Sequence, residues 1–218
     1  YEISKKIGID KISKVAEDFG LGKIYDFPLP NQKKGIIPSR DWKKKKYDES
    51  WYPGETLISA IGQGFVLTNP LQLAVMTSII ASNGKNVKPN IIKQNNDIEF
   101  EKLEKYQNAI QIIKNSMFKV VNESNGTAYN SRSASAPFAG KTGTSQVRRI
   151  TVAERESEDF RKKEVEWKKR DHALFVGYMP VENPRYAVSV VIEHGGSGAS
   201  TAAPIAKEIF QFTKNLEI

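Results

Sequence analysis

The sequence predicts an α+β fold, an antiparallel sheet packed by helices. Helical apolar spacing fills the first half of the chain. Three strand-like segments, residues 139–147, 173–179 and 187–193, fill the second half, and one helix closes it. Helices first, strands next and a helix last suit an antiparallel sheet better than alternating βαβ units.

Each element has its own justification. Residues 1–19 place Ile3, Ile7, Ile12, Val15, Ala16 and Phe19 at helical spacing. They read as an amphipathic helix, or two short ones broken at Gly8-Ile9-Asp10, ended by Gly20 and Gly22. Residues 26–54 hold four prolines and little periodicity, and read as a long irregular loop. Residues 59–64 form a tight backbone passage. Thr68-Asn69-Pro70 then opens a helix over 71–82 whose Leu71, Leu73, Ala74, Met76, Thr77, Ile80 and Ala81 make a broad buried face, closed at Asn83-Gly84. Residues 86–92 read as a short strand, followed by a polar connector. A helix over 103–122 puts Ile110, Ile113, Met117, Val120 and Val121 on one stripe. Residues 126–136 are a small-residue loop, and 151–169 a charged, partly helical excursion. Asn183-Pro184 supplies hairpin chemistry between the last two strands. The final helix opens near Ser200 and Thr201, with Pro204 in its first turn, and runs to about Lys214.

The chain has 218 residues and a formal charge of +8, with no cysteine and two histidines. Disulfides, thiolate metal sites and a cysteine nucleophile are excluded, and neither a metal nor a cofactor is expected. The positive charge does not read as a nucleic-acid surface. Lysine outnumbers arginine about three to one, whereas base and phosphate readers favour the planar Arg fork. Lys43 to Lys46, in a polar loop with Asp41, Asp48 and Glu49, read as a solvated face. No apolar run of about 18 residues is present. The absence of a leader, and a helical pattern already running at Tyr1, create the expectation of a chain cut from something longer.

The most specific feature is Ala139-Gly140-Lys141-Thr142-Gly143-Thr144-Ser145-Gln146. A cation and a hydroxyl among small residues on a strand make an edge that a substrate backbone can approach. Lys141 and Thr142 offer charge and a hydrogen bond to a carboxylate, Gly143 leaves room, and the Thr144 backbone N–H can meet a developing oxyanion.

Around this strand the chain resembles the transpeptidase domain of class B penicillin-binding proteins nearly end to end. The resemblance runs through Gly62-Gln63-Gly64, Thr68-Asn69-Pro70-Leu71-Gln72 and Asn125-Gly126-Thr127-Ala128. It continues through Gly140 to Gln146, Asp171-His172-Ala173-Leu174-Phe175-Val176-Gly177-Tyr178, Glu193-His194-Gly195-Gly196-Ser197-Gly198 and Ala202-Ala203-Pro204-Ile205-Ala206. Trp51-Tyr52-Pro53-Gly54-Glu55 points to the elongation-type branch rather than the division-type one.

The resemblance implies that residues 1–218 are the C-terminal part of a single serine-transpeptidase/β-lactamase-like domain that lacks its N-terminal elements. It implies a serine acyl-transferase that cross-links peptidoglycan. Its serine, paired with lysine in S-x-x-K, attacks the penultimate D-Ala of a stem peptide, and β-lactams mimic that unit. Lys141-Thr142-Gly143, with Ser145 and Gln146, would bind substrate, and Thr144 would be the catalytic contributor. Stem peptides and β-lactams are the implied ligands, and a membrane glycosyltransferase the implied partner. The implied location is the periplasmic face of the inner membrane. The nucleophile and the second motif are expected before residue 1, so the chain alone would be inactive. The alternatives are a non-catalytic peptidoglycan- or β-lactam-binding module and a serine β-lactamase of the same fold.

Ser82-Asn83-Gly84-Lys85 and Ser116-Met117-Phe118-Lys119 also fit S-x-x-K, but 17 serines and abundant lysine predict about two such matches by chance. Ser39-Arg40-Asp41 and Ser157-Glu158-Asp159 imitate the second motif equally cheaply. Asp171-His172 reads as a structural pair at a strand entry, since adjacent strand residues face opposite ways. His194 reads as solvent-facing on a Gly-rich turn.

Overall fold

Backbone breaks and caps written in the sequence set the helices of the first half. The structure, a computed structural model, describes residues 1–26, 28–92, 99–148 and 165–216. It divides into two units, Tyr1–Asn115 and Ser116–Ile218.

In the first unit Gly8, at φ 81°, separates helix α1 (Glu2–Ile7) from α2 (Ile9–Asp18), the break expected at that glycine. Only part of the apolar stripe turns inward. Ile9 and Phe19 are buried, but Ile3, Ile7 and Val15 are exposed. The buried positions include Ser4 and Ser13, whose hydroxyls are satisfied by backbone carbonyls, Ser13 donating to Pro38 and Ile9.

The expected irregular loop contains a helix, α3 (Arg40–Tyr47), capped by the Ser39 hydroxyl on the Trp42 N–H at 3.1 Å. Lys43, expected on a solvated face, is instead buried, with 2% side-chain exposure. Its ammonium lies 2.6 Å from Glu55 and 3.5 Å from Glu49, and 4.3 Å from the Tyr52 ring centroid. Burial lowers its pKa, but the two carboxylates outweigh that and the net shift is upward. The same Glu55 accepts the Tyr52 N–H at 2.8 Å at the start of α4 (Pro53–Ser59), so one carboxylate ties two helices together.

Helix α5 (Pro70–Ala81) forms as expected, with Asn69 capping the Gln72 N–H and Pro70 in the first turn. Gln72 is fully buried and donates to the carbonyls of Lys23 and Lys34, at 2.6 and 2.9 Å. Thr68 and Asn69 add bonds to Gln72 and to the Lys33 carbonyl. The Thr68–Gln72 motif is thus a polar staple for the loop before it. Residues 86–92 form no strand; an isolated bridge, Lys85 to Lys102, is all that pairs there. Helix α6 (Gln107–Asn122) follows a 3-10 turn at Glu104–Tyr106. Ile110 is buried, whereas Ile113, expected on the same stripe, is 40% exposed.

In the second unit three strands, β1 (Ala139–Ser145), β2 (His172–Met179) and β3 (Tyr186–Ile192), form an antiparallel sheet in the order β1-β2-β3. The register pairs Lys141 with Val176, Thr142 with Phe175 and Ser145 with His172. A π-helical turn (Gly198–Ala202) leads into α7 (Ala203–Thr213). Phe138 packs at a tilt against Phe210 at 5.1 Å and meets Phe175 edge-on at 6.0 Å, in a core that also holds Ala173, Ala203 and Ala206. Of the expected charged excursion, residues 151–164 lie outside the described residues, and Trp167–Lys169 form a 3-10 turn. Among the described residues no helix is long and apolar enough to cross a membrane.

Candidate functional site

Strand alternation sorts the motif residues. Thr142 and Thr144 lie across from Phe175 and Ala173, on the face that packs toward α7, while Lys141, Gly143 and Ser145 share the face of Val176, Leu174 and His172. Gln146 follows the strand and is exposed. Among the described residues β1 pairs with β2 alone, so its other edge is open within the sheet.

Lys141 reaches around that edge. Its ammonium donates to the Thr142 carbonyl at 2.8 Å and to the Thr142 hydroxyl at 3.3 Å. Partial burial pushes the Lys141 pKa down, because few groups there replace lost water. The Thr142 carbonyl meets this ammonium on the open side. By the alternation of an antiparallel strand, the Thr144 backbone groups face the same side.

A residue quoted in the resemblance but given no role completes the cluster. Thr127 and Thr142 hydroxyls lie 3.0 Å apart. Thr127 is delivered by a turn clamped onto the end of α6, where Ala128 N–H donates to the Val120 carbonyl at 3.0 Å. A Cβ on Gly126 would drive into that same carbonyl, so only glycine fits. The 15-residue separation of Thr127 from Thr142 hid the pairing; its place in a shared motif was the signal available.

Asp171 and His172 hold the far end of the strand. The Asp171 carboxylate accepts the Val147 N–H at 3.4 Å, and its backbone carbonyl accepts that of Gly196 at 2.8 Å. His172 Nδ1 accepts the His194 N–H at 2.9 Å. His194 differs from the expectation of a solvent-facing ring. It is half-buried, 4.6 Å from the Trp167 ring and 4.8 Å from His172, with Nδ1 3.1 Å from the Arg170 carbonyl. Aromatic neighbours supplied by the sequence before β2 draw it in.

The chance motif matches have ordinary explanations. Ser39 is the α3 cap. Ser82 bonds the carbonyls of Ile79 and Lys85 at a helix end, and Lys119 has its ammonium 3.7 Å from Glu123. Ser157 lies outside the described residues. Among the described residues no group of three or more metal-ligating side chains occurs. A cavity of about 580 Å³, lined by Phe118, Asn122, Arg132 and Glu182 among others, includes none of residues 141–146. The strand edge is therefore the candidate site.

Comparison with known proteins shows the family. Residues 1–211 match the penicillin binding protein transpeptidase domain. The chain is 34% identical to a peptidoglycan D,D-transpeptidase MrdA from Haemophilus influenzae, over 99% of this chain and 34% of that protein. Among solved structures it is similar to PBP2 of Helicobacter pylori in complex with MreC (TM-score 0.84, 32% identity, 98% of this chain and 37% of that one). It is also similar to Pseudomonas aeruginosa PBP2 in complex with WCK 5153 (TM-score 0.81, 33% identity, 100% and 45%). The chain spans about a third of the length of the curated relatives it matches. These relatives are of the elongation type expected from Trp51 to Glu55.

Proposed function

Because the chain belongs to the penicillin-binding protein transpeptidase family, we propose that it is the substrate-holding part of a peptidoglycan D,D-transpeptidase. Residues 1–218 belong to one transpeptidase domain in this reading. Lys141 and the Thr142 hydroxyl bind the terminal carboxylate of a stem peptide or β-lactam, and Gly143, Ser145 and Gln146 line its path. The Thr144 N–H donates to the oxyanion as a serine Oγ attacks the penultimate D-Ala carbonyl and terminal D-Ala departs. An amine of a second strand then resolves the ester. The attacking serine is assigned to no residue of this chain.

The observation that carries the reading is an ammonium and two hydroxyls in contact along the open edge of β1. An extended peptide can add there by backbone bonds while its carboxylate meets Lys141. The relatives' association with MreC and with a peptidoglycan synthase complex supports a partner in cell-wall synthesis for the whole protein; in this reading that partner is a membrane glycosyltransferase at the periplasmic face of the inner membrane.

Labelled penicillin tests the proposal on the full-length protein that contains this chain. Covalent labelling, slowed by Lys141→Ala, is the expected result. Reversible binding without a covalent adduct would favour a binding module instead, and labelling indifferent to Lys141 would overturn the assignment of the edge.

A further inference from the structure

We propose that His172 is a positioning residue for the Lys141-Thr142-Gly143 edge, acting through the turn at residues 193–198; the inference rests on the functional reading above. The turn comes against the strand at a glycine. Gly198 is buried, and a Cβ there would drive into the carbonyl oxygens of Gly143 and Leu174 and lie 3.0 Å from the Gly143 nitrogen. Gly143 therefore has its backbone braced from behind, on the side away from the open edge.

Several bonds hold the brace, three of them tying it to β2, its entry and the π-helical turn. His194 N–H donates to His172 Nδ1, Gly196 N–H to the Asp171 carbonyl, and the Thr201 hydroxyl to the Gly195 carbonyl at 2.8 Å. Of these, the first alone reaches a side chain of β2, the His172 imidazole. His194 also sits at φ +56°, a conformation a non-glycine residue keeps only when its surroundings fix it. Because Nδ1 accepts, the His172 proton is on Nε2. His172 lies directly across from Ser145 on the face shared with Lys141 and Gly143, so one imidazole links the strand's end to the turn behind its middle.

The two ring nitrogens give the test its discrimination. Asn can place an oxygen near the position of Nδ1, whereas Gln places one near Nε2. In the full-length protein, His172→Asn is expected to acylate with labelled penicillin within about twofold of wild type, and His172→Gln about tenfold more slowly. Hydrogen exchange supplies a second readout: the His194, Gly143 and Thr144 amides exchange faster in His172→Gln than in His172→Asn. Thr201→Val, which loosens the same turn without touching His172, should reproduce part of both effects should His172→Gln fold poorly. Equal acylation in the Asn and Gln variants, or unchanged exchange at Gly143 and Thr144, overturns the inference. Failure of the wild type to acylate overturns the functional reading instead, and the exchange comparison still decides whether His172 braces the strand.

Discussion

Two lysines, Lys43 in the first unit and Lys141 in the second, show how the same ammonium serves opposite ends. Lys43 is buried, paired with two carboxylates and covered by a tyrosine ring. Its charge is neutralised at home, and its pKa is raised. Among the described residues Lys141 has no carboxylate among its bonded partners, only its neighbour's carbonyl and hydroxyl, and its pKa is lowered by desolvation. A satisfied cation fastens helices together. A cation given only neutral acceptors keeps most of its electrostatic attraction for an incoming anion. The contrast separates structure from function more sharply than exposure or local charge density does, since both lysines sit in polar sequence.

The comparison can be broken by substitution. Lys141→Ala should slow penicillin acylation of the full-length protein about 100-fold, the loss of a charge-assisted contact, while moving the melting temperature little. Thr127→Val removes one neutral hydroxyl from the same cluster and should cost about fivefold, read in the same assay. Lys43→Met should do the reverse of Lys141→Ala. Acylation at 25 °C stays within about twofold of wild type, while the melting temperature drops by several degrees as Glu55 loses its buried partner. A large acylation defect in Lys43→Met with an unchanged melting temperature would erase the distinction.

A smaller effect concerns acid stability. Burial alone would raise the Asp18 pKa, but Lys105 and Lys14, with the Tyr106 hydroxyl at 2.7 Å, hold it well below the usual carboxylate range. A depressed carboxylate contributes stability that is present above its unfolded pKa of about 3.9 and is lost as pH falls toward the folded value. Asp18→Asn should therefore lower the melting temperature at pH 7 and flatten its decline below about pH 4. Parallel wild-type and variant curves across pH 2–7 would show that the cluster is not linked to folding.

What could be read from the sequence follows the range of the forces involved. Helix α5 was legible because Asn69, Pro70 and an apolar run act within one segment. The three strands were legible because small and β-branched residues alternate between turn signals. Helix α3 was not, because four consecutive lysines give no apolar period, and what buries Lys43 comes from Glu49, Tyr52 and Glu55, outside the helix. The strand expected at 86–92 does not form, and among the described residues one bridge, Lys85 to Lys102, is what pairs beside it. At the site, Lys141 and Thr142 were evident as a motif. Thr127 and the turn of His194 were not, because contacts across 15 and 22 residues are made by the fold and not by spacing.

The open edge of β1 has one more consequence. An unpaired strand rich in small residues is the kind of surface on which identical chains stack into sheets. Here the strand carries its own deterrent. The Lys141 ammonium, folded back onto the Thr142 carbonyl, occupies an acceptor that a second copy would need, and would set two like charges close together in a symmetric pair. In the proposed reading a substrate ending in a carboxylate would neutralise this ammonium, whereas another β1 strand would not. If Lys141 holds the ligand as proposed, the same ammonium is also expected to disfavour self-pairing along this edge.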